Sequence, residues 1–281
     1  MEDQISIILT TYNRKSLLEM TLTALLNQTN KNFEILIIDD HSKDSTQEFS
    51  IDFVNKINMP SKYFRIENEG NNLSIARNMG AEFAKNKYLV FIDDDIVVLP
   101  NFIQEYILHF QKNPDAVYLG KLLYVKSQSL ENITLEDIKN KKWDILNQHL
   151  YSKIDPRKDT LRDLPDYYKV WGGNMGIAKT HFYCLNGYDE DFKSWGGLDS
   201  DLGLRLKRNG NPLVLLDDCI GYHMGTNFKS MSEIQKERGV RMFEDEKMHD
   251  TSIIRNLNPD TNSNKPIIVY YNKKNYPTKL F

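Results

Sequence analysis

The sequence has no run of 18 or more apolar residues, so it supplies no membrane-spanning helix. Its first residues, `MEDQISIILTTYN`, are acidic and then strand-like, which is unlike a signal peptide. Cysteine is scarce: Cys184 and Cys219 lack metal-site spacing and predict two buried free thiols rather than a bridge. There is no excess of basic charge. The 36 Lys and Arg against 39 Asp and Glu give a net charge of -3, which lacks the basic footprint of a nucleic-acid-binding protein. Neither GxGxxG nor a P-loop occurs, so a dinucleotide fold of the usual kind and a P-loop nucleotidase have no motif support. These absences lead to an expectation of a cytoplasmic protein, with peripheral contact at the inner face of a membrane left open. They say nothing about oligomeric state.

What is present is an ordinary globular composition, 40% hydrophobic and 27% charged, over 281 residues. Strand-like and helix-like segments alternate through the first hundred or so residues. Residues 5–13, 33–40, 62–68 and the `KYLVFIDDD` segment read as strands, the third less apolar than the others. Residues 15–29, 41–57 and 71–86 read as helices, with Leu18, Leu22, Leu25 and Leu26 at helical spacing in the first. This order predicts a mostly parallel sheet covered by helices on both faces. Ligands of such sheets sit beyond the carboxyl ends of the strands. Those ends carry Asn13, then Asp39 and Asp40, then Asp93, Asp94 and Asp95. A further helix over `LPNFIQEYILHFQKNP` and a strand over `AVYLGKLLYV` follow. Helices are expected around `TLEDIKNKKWDILNQHL`, a mobile stretch near `SKIDPRKDTLRDLP`, and a short strand with a loose tail at the end. No internal repeat and no second core are visible.

The segment `FIDDDIVV` is the most informative. Asp is unfavourable in strands and rarely buried alone, and three adjacent carboxylates repel one another. A strand that ends in such a cluster points to a hard divalent cation, Mg2+ or Mn2+, which takes carboxylate oxygens with phosphate oxygens beside them. A solvated turn is the plain alternative. A second candidate site is `SWGGLDSDLGLRLKRNG`. Gly196 and Gly197 permit close backbone approach or unusual dihedrals. Asp199 and Asp201 then fall where a helix begins, which favours the anionic carboxylate. Asp199 can serve as a general base toward a sugar hydroxyl, or simply cap the helix. Asp201 orders the loop, binds substrate or caps. His223, after a short apolar strand, can join a carboxylate metal site, and imidazole suits Mn2+ modestly better than Mg2+. Arg77 can pair with a phosphate or a carboxylate. Asp40 can accept hydrogen bonds from a base or ribose, or cap the next helix. Trp171 and Trp195 offer faces for a sugar ring, or core packing. Asp189 and Glu190 read as turn residues.

Together these segments resemble a family 2 glycosyltransferase of the GT-A fold. The resemblance runs through `SIILTTYNR`, `FEILIIDDHSKDST` and `NEGNNLSIARNMGAEFAKNKYLVFIDDDIV`. The stretch `WGGNMGIAKTHFYCLNGYDEDFKSWGGLDSDLGLRLKRNG` is similar to the catalytic region of polypeptide N-acetylgalactosaminyltransferases, chondroitin-type polymerases and β-1,4-galactosyltransferases. The resemblance implies a GT-A domain over residues 1–225, with a Rossmann-like nucleotide-sugar-binding half (1–98) fused to an acceptor and catalytic half (99–225), and a C-terminal extension over 226–281. It implies that Thr11, Tyr12 and Arg14 line the nucleotide pocket, that Asp40 binds uracil, and that Arg77 lies near uridine and diphosphate. Asp95 and His223 would be metal ligands, Asp93 and Asp94 would complete the acidic motif, and Asp199 would be the catalytic base. Trp195, Gly196 and Gly197 would shape the sugar pocket. Relatives usually read `WGGED` where this chain has Leu198 before Asp199, so the glutamate that commonly helps hold the sugar is missing.

The implied activity is an inverting, metal-dependent transfer from a UDP-sugar, with Mn2+ or Mg2+ as cofactor. The acceptor would be a glycan, a lipid-linked glycan, a protein or a small molecule. Two other readings are a sugar-phosphate nucleotidyltransferase and a non-catalytic carbohydrate-binding protein. The first would normally show a glycine-bearing loop after the first strand, which `ILTTYNRKS` lacks. The second would need neither the acidic cluster nor His223.

Overall fold

The computed structural model describes residues 4–68, 70–159, 161–192, 197–224 and 270–271. In chain order these form β1 (Ile5–Thr11), α1 (Lys15–Leu26), β2 (Phe33–Asp40), α2 (Thr46–Lys56), β3 (Ser61–Ile66), α3 (Leu73–Phe83), β4 (Tyr88–Asp93) and β5 (Ile96–Val98). Next come α4 (Phe102–Lys112), β6 (Val117–Tyr124), α5 (Leu135–Lys139), α6 (Asp144–Gln148), β7 (Asn174–Ala178), α7 (Lys179–Cys184), α8 (Leu198–Arg208), β8 (Leu213–His223) and β9 (Tyr270–Tyr271).

Among the described residues the strands make one sheet in the order β5-β8-β6-β7-β4-β1-β2-β3-β9. β4, β1, β2 and β3 run parallel, as the alternation of strands and helices requires. β7 is antiparallel to both β4 and β6, β8 runs parallel to β6, and β5 is antiparallel to β8. The sheet is thus mostly parallel in its first half and mixed in its second. Two buried clusters lie on its opposite faces. Ile7 and Leu9 of β1 pack with Leu18, Leu22 and Leu25 of α1 and with α4. Ile8 of the same strand lies in the cluster that holds Ile75 and Met79 of α3 and Leu202 and Leu206 of α8. A side-chain period of two therefore divides β1 between two helical layers, which explains its unbroken apolar run.

Three sequence expectations are corrected. The stretch expected to be mobile is pinned at its start by a buried ion pair: Asp155 and Arg157 are 1% and 0% exposed. Arg157 donates to both oxygens of Asp155 and to the carbonyls of Gly120 and Lys169, which docks this charged segment on β6. Cys219 is buried, but Cys184, in the last turn of α7, is exposed; both thiols are free. The "short" strand before His223 spans eleven residues and is interrupted: Leu119 faces Leu215 while Lys121 faces Ile220. β8 thus bulges opposite Gly120, where a Cβ would lie 2.3 Å from the buried Asn174 side chain.

Candidate active site

β1, β2 and β4 end together, because Thr10 is in register with Asp93 and Thr11 with Asp39. This brings Thr10, Thr11, Tyr12, Arg14, Asp40, Asp93 and Asp94 to one cleft of about 450 Å3, whose other wall is Gly70, Asn71, Leu73 and Ala76 at the start of α3. Tyr12 is half exposed, with its ring available to a flat ligand. The loops that follow β1 and β2 are latched to each other. Asn13, in the left-handed region at φ 52°, donates its N–H to Ser42 Oγ (2.9 Å) and accepts from the Lys43 N–H (2.6 Å). Behind the latch, Arg65 donates to Asp39 and to the Ser42 carbonyl, and the Tyr63 hydroxyl donates to Asp39.

Asp40 stands at the cleft but does not cap α2. Its two oxygens accept from the backbone N–H and side-chain amide of Asn72, at 2.9 and 2.8 Å, and so hold the start of α3. Burial pushes its carboxyl above the usual range, with the Asn72 hydrogen bonds opposing.

The three adjacent aspartates are held differently. Asp93 is one-third exposed and accepts from Arg77 Nη2 at 3.0 Å. Asp94 accepts from the Thr11 hydroxyl at 2.7 Å, and its carbonyl accepts from Thr21 of α1. Asp95 accepts from Arg14 Nη1 at 2.7 Å through Oδ2. Its Oδ1 is buried and has no hydrogen-bond partner among the described residues. Burial first, then neighbouring aspartates, push the carboxyls of Asp94 and Asp95 well above the ordinary range, against the pull of Arg14. His223 reaches this group by register. It faces Ile96 across β5 and β8, the Met224 N–H donates to the Asp95 carbonyl, and Nδ1 comes within 3.8 Å of Asp95 Oδ2. Burial lowers the imidazole pKa to about 4, so the ring is neutral near pH 7 and able to ligate a metal. Tyr124 stacks on it at 4.9 Å and 20°.

This donor set fits a hard divalent cation. An unpartnered buried carboxylate oxygen is costly unless something positive meets it, and neutral imidazole with carboxylate oxygens suits Mn2+ as well as Mg2+. A cleft lined by Asp40, Asp93 and Asp94 would also repel a diphosphate without such a cation between them. Elsewhere among the described residues, His109, Asp218 and Cys219 place three possible ligand atoms close together. There His109 Nε2 lies 2.9 Å from both Asp218 oxygens, which is direct hydrogen-bond contact rather than the spacing of atoms around an ion.

Asp199 sits in the first turn of α8, whose N-cap is Gly197 at φ 86°, so the cap itself is not Asp199. Its Oδ1 accepts from Arg77 Nη1 at 2.8 Å and from the Tyr188 hydroxyl at 3.1 Å. Arg77 is fully buried, so one guanidinium of α3 joins Asp93 to Asp199. Gly172 makes room for it: a Cβ there would lie 2.4 Å from Arg77 Cζ. Asp201 is clamped by Arg205, which also donates to the Leu185 and Gly187 carbonyls; Asp201 orders that loop and does not line the cleft. Trp171 packs edge-on against Tyr124, with Arg157 Cζ 4.8 Å from its ring. Trp195 and Gly196 lie outside the described residues.

Sequence reasoning did not single out Tyr188, Tyr124 or Thr10. Tyr188 beside Gly187 and Tyr124 within an apolar strand both read as core, and both rings do pack against aromatic neighbours. The usable signal was Gly172-Gly173, because a Cβ on Gly173 would also crowd Asp93, at 2.8 Å.

A parallel sheet with carboxylates gathered at its strand ends, and a mixed-sheet half bringing a further carboxylate and a histidine to them, defines an α/β fold of GT-A type. Structural likeness agrees. S. aureus TarS 1–349 in complex with UDP-GlcNAc superposes with a TM-score of 0.61 at 18% identity, over 82% of this chain and 60% of that one. GalNAc-T7 with UDP, GalNAc and Mn2+ superposes with a TM-score of 0.57 at 20% identity, over 79% and 44%.

Residues 6–182 match Glycosyl transferase family 2, and the chain belongs to that family. Residues 160–224 match the N-terminal domain of galactosyltransferase. The chondroitin synthase of Escherichia coli is 29% identical over 239 residues, 79% of this chain and 34% of that protein. The chain thus spans about a third of the length of this curated relative.

Proposed function

We propose that the chain transfers a sugar from a UDP-sugar to an acceptor hydroxyl with inversion, and that Asp199 is the general base. The observation that carries this is the single buried guanidinium of Arg77, which fixes Asp199 relative to Asp93 of the acidic motif. A reaction of this kind needs a donor site and a proton acceptor at a set separation, and the fold supplies both ends of one rigid link. Family membership and neighbours solved with UDP-GlcNAc or with UDP, GalNAc and Mn2+ support a UDP-linked donor.

In this reading Tyr12 and Asp40 face the nucleoside, while Thr11 and Arg14 fix the carboxylates beside the diphosphate. Asp95 and His223 would hold Mn2+ or Mg2+, whose chemistry when bound is to neutralise the charge that develops on the leaving diphosphate. Asp199 takes the proton of the acceptor hydroxyl as that oxygen attacks the anomeric carbon from the face opposite the diphosphate. The acceptor is a glycan, free or carried on a lipid, a protein or a small molecule. No helix among the described residues is long and apolar enough to cross a membrane.

The test is UDP release by purified protein across a panel of UDP-sugars and acceptors, with Mn2+ or EDTA, repeated with Asp199→Asn. Loss of the base is expected to lower kcat by roughly 100- to 10,000-fold with UDP affinity retained. Turnover by Asp199→Asn at the wild-type rate would remove the base assignment. Turnover unaffected by EDTA would remove the metal.

A further inference from the structure

Asp199 is held asymmetrically. Oδ1 receives two donors, Arg77 Nη1 at 2.8 Å and the Tyr188 hydroxyl at 3.1 Å, while no hydrogen bond from a described residue reaches Oδ2. The side chain is 26% exposed. Tyr188 is itself located with unusual firmness. Its backbone N–H donates to Asn78 Oδ1 and its carbonyl accepts from Asn78 Nδ2, both at 2.8 Å. Its ring stands edge-on to Phe91 at 5.7 Å and packs on Phe182 at 5.8 Å. The Arg77 guanidinium lies 5.0 Å from the ring centroid. Consecutive residues of α3, Arg77 and Asn78, therefore hold the carboxylate and the phenol that binds it.

Building on the assignment of Asp199 as base, we propose that Tyr188 is a positioning residue: its hydroxyl and Arg77 together occupy Oδ1, which turns Oδ2 toward the acceptor as the proton-accepting oxygen. Two donors at a fixed angle stop the carboxylate rotating about χ2, a freedom that one donor would leave. Burial raises the phenol well above its ordinary pKa of 10, so it remains a donor wherever the carboxylate is ionised. Phe at this position would pack as well and donate nothing, so the hydroxyl is the atom on which the proposal rests.

Among the described residues the charged and titratable groups around Asp199 are few. Arg77 reaches it from α3, Tyr188 from the loop after α7, and Asp93 lies beyond Arg77 at the end of β4. On its own helix, Asp201 is neutralised by Arg205. A hydrogen bond to a charged group corresponds to roughly a 10- to 100-fold effect.

The experiment compares wild type, Tyr188→Phe and Asp199→Asn by kcat, donor KM and thermal melting. The expected result for Tyr188→Phe is a kcat lower by roughly 10- to 100-fold with an unchanged donor KM. An unchanged kcat in Tyr188→Phe, with Asp199→Asn inactive, overturns the inference and leaves the base in place. An active Asp199→Asn overturns both. If Tyr188→Phe melts early, 3,5-difluorotyrosine placed at position 188 keeps the ring and the hydroxyl donor. It then restores kcat to near the wild-type value, and a kcat as low as that of Tyr188→Phe overturns the proposal.

Discussion

Replacing Arg157 by Met tests whether the charged segment before Trp171 is as firmly seated as its hydrogen bonds imply. Arg157 is wholly buried and donates to both oxygens of Asp155 and to two carbonyls. Met fills much of the same volume and carries no donor. Among the described residues, Asp155, 1% exposed, would keep only the backbone N–H groups of residues 122 and 157. Removing one partner of a buried ion pair costs about 3–5 kcal/mol, because the other charge stays uncompensated. At about 2–3 °C per kcal/mol for a chain of this size, melting should fall by roughly 6–15 °C. The loss has a pH signature. Burial pushes the Asp155 carboxyl up, but the hydrogen bonds and charge of Arg157 outweigh it and hold the carboxyl below the usual range. Its stability contribution is therefore present above the unfolded value of about 4 and is lost as pH falls through the lower folded value. Without Arg157 burial acts unopposed by that charge, so the gap between wild type and variant should narrow as pH drops toward about 4. Adding Asp155→Asn removes the buried charge and should restore about half of the lost stability. Calorimetry across pH decides it. A variant melting within about 2 °C of wild type, or a double variant no better than the single one, would refute the reasoning.

Three further outcomes follow from the site. Asp94 and Asp95 have raised carboxyl pKa values, so the stability they favour is present at acid pH and lost as pH rises from about 4 through the raised range. His223 works in the opposite sense: burial lowers its imidazole pKa to about 4, so its contribution is present above the unfolded value of about 6.5 and is lost as pH falls through about 4. The ligands are deprotonated at higher pH, so excess Mn2+ should raise melting more near pH 8 than near pH 5.5, as thermal melts with and without the ion will show. Gly172→Ala places a Cβ 2.4 Å from Arg77 Cζ and 2.6 Å from the Tyr188 hydroxyl; it should cost about 1–3 kcal/mol in urea unfolding and depress turnover more than UDP affinity. Tyr12→Ala removes an exposed ring from the cleft wall and should weaken UDP binding roughly 2- to 10-fold by calorimetry. An unchanged affinity would show that the base stacks elsewhere.

The first half of the fold is legible because β1, β2 and β4 are largely apolar runs that end in polar residues and the helices between them repeat apolar residues at three- and four-residue spacing. Leu18, Leu22 and Leu25 do point to the core, and Ile75 and Met79 share a face. The second half hides its logic. β5 is three residues long and follows the acidic cluster without a break in apolar character, so no period reveals it. The β8 bulge changes which residues face which side, and alternation cannot survive it. Asp155 and Arg157 sit in `SKIDPRKD`, where charge density suggests solvent, and only tertiary packing shows two of those charges sealed against each other. For Arg77 the sequence left phosphate and carboxylate partners both open, because a buried arginine and an exposed one look alike in sequence. Its actual partners, Asp93 and Asp199, lie 16 and 122 residues away.

The latch between the loops after β1 and β2 bears on how a nucleotide would enter. Asn13, Ser42 and Lys43 tie these loops together, and Arg65 secures Ser42 from behind. One wall of the cleft is therefore ordered by folding itself. A ligand docking against it leaves backbone freedom there nearly untouched, so association meets little entropic resistance on that side. Encounter rates at this wall should follow diffusion and electrostatic orientation rather than slow loop rearrangement, with little heat-capacity change beyond that of the surface the ligand covers.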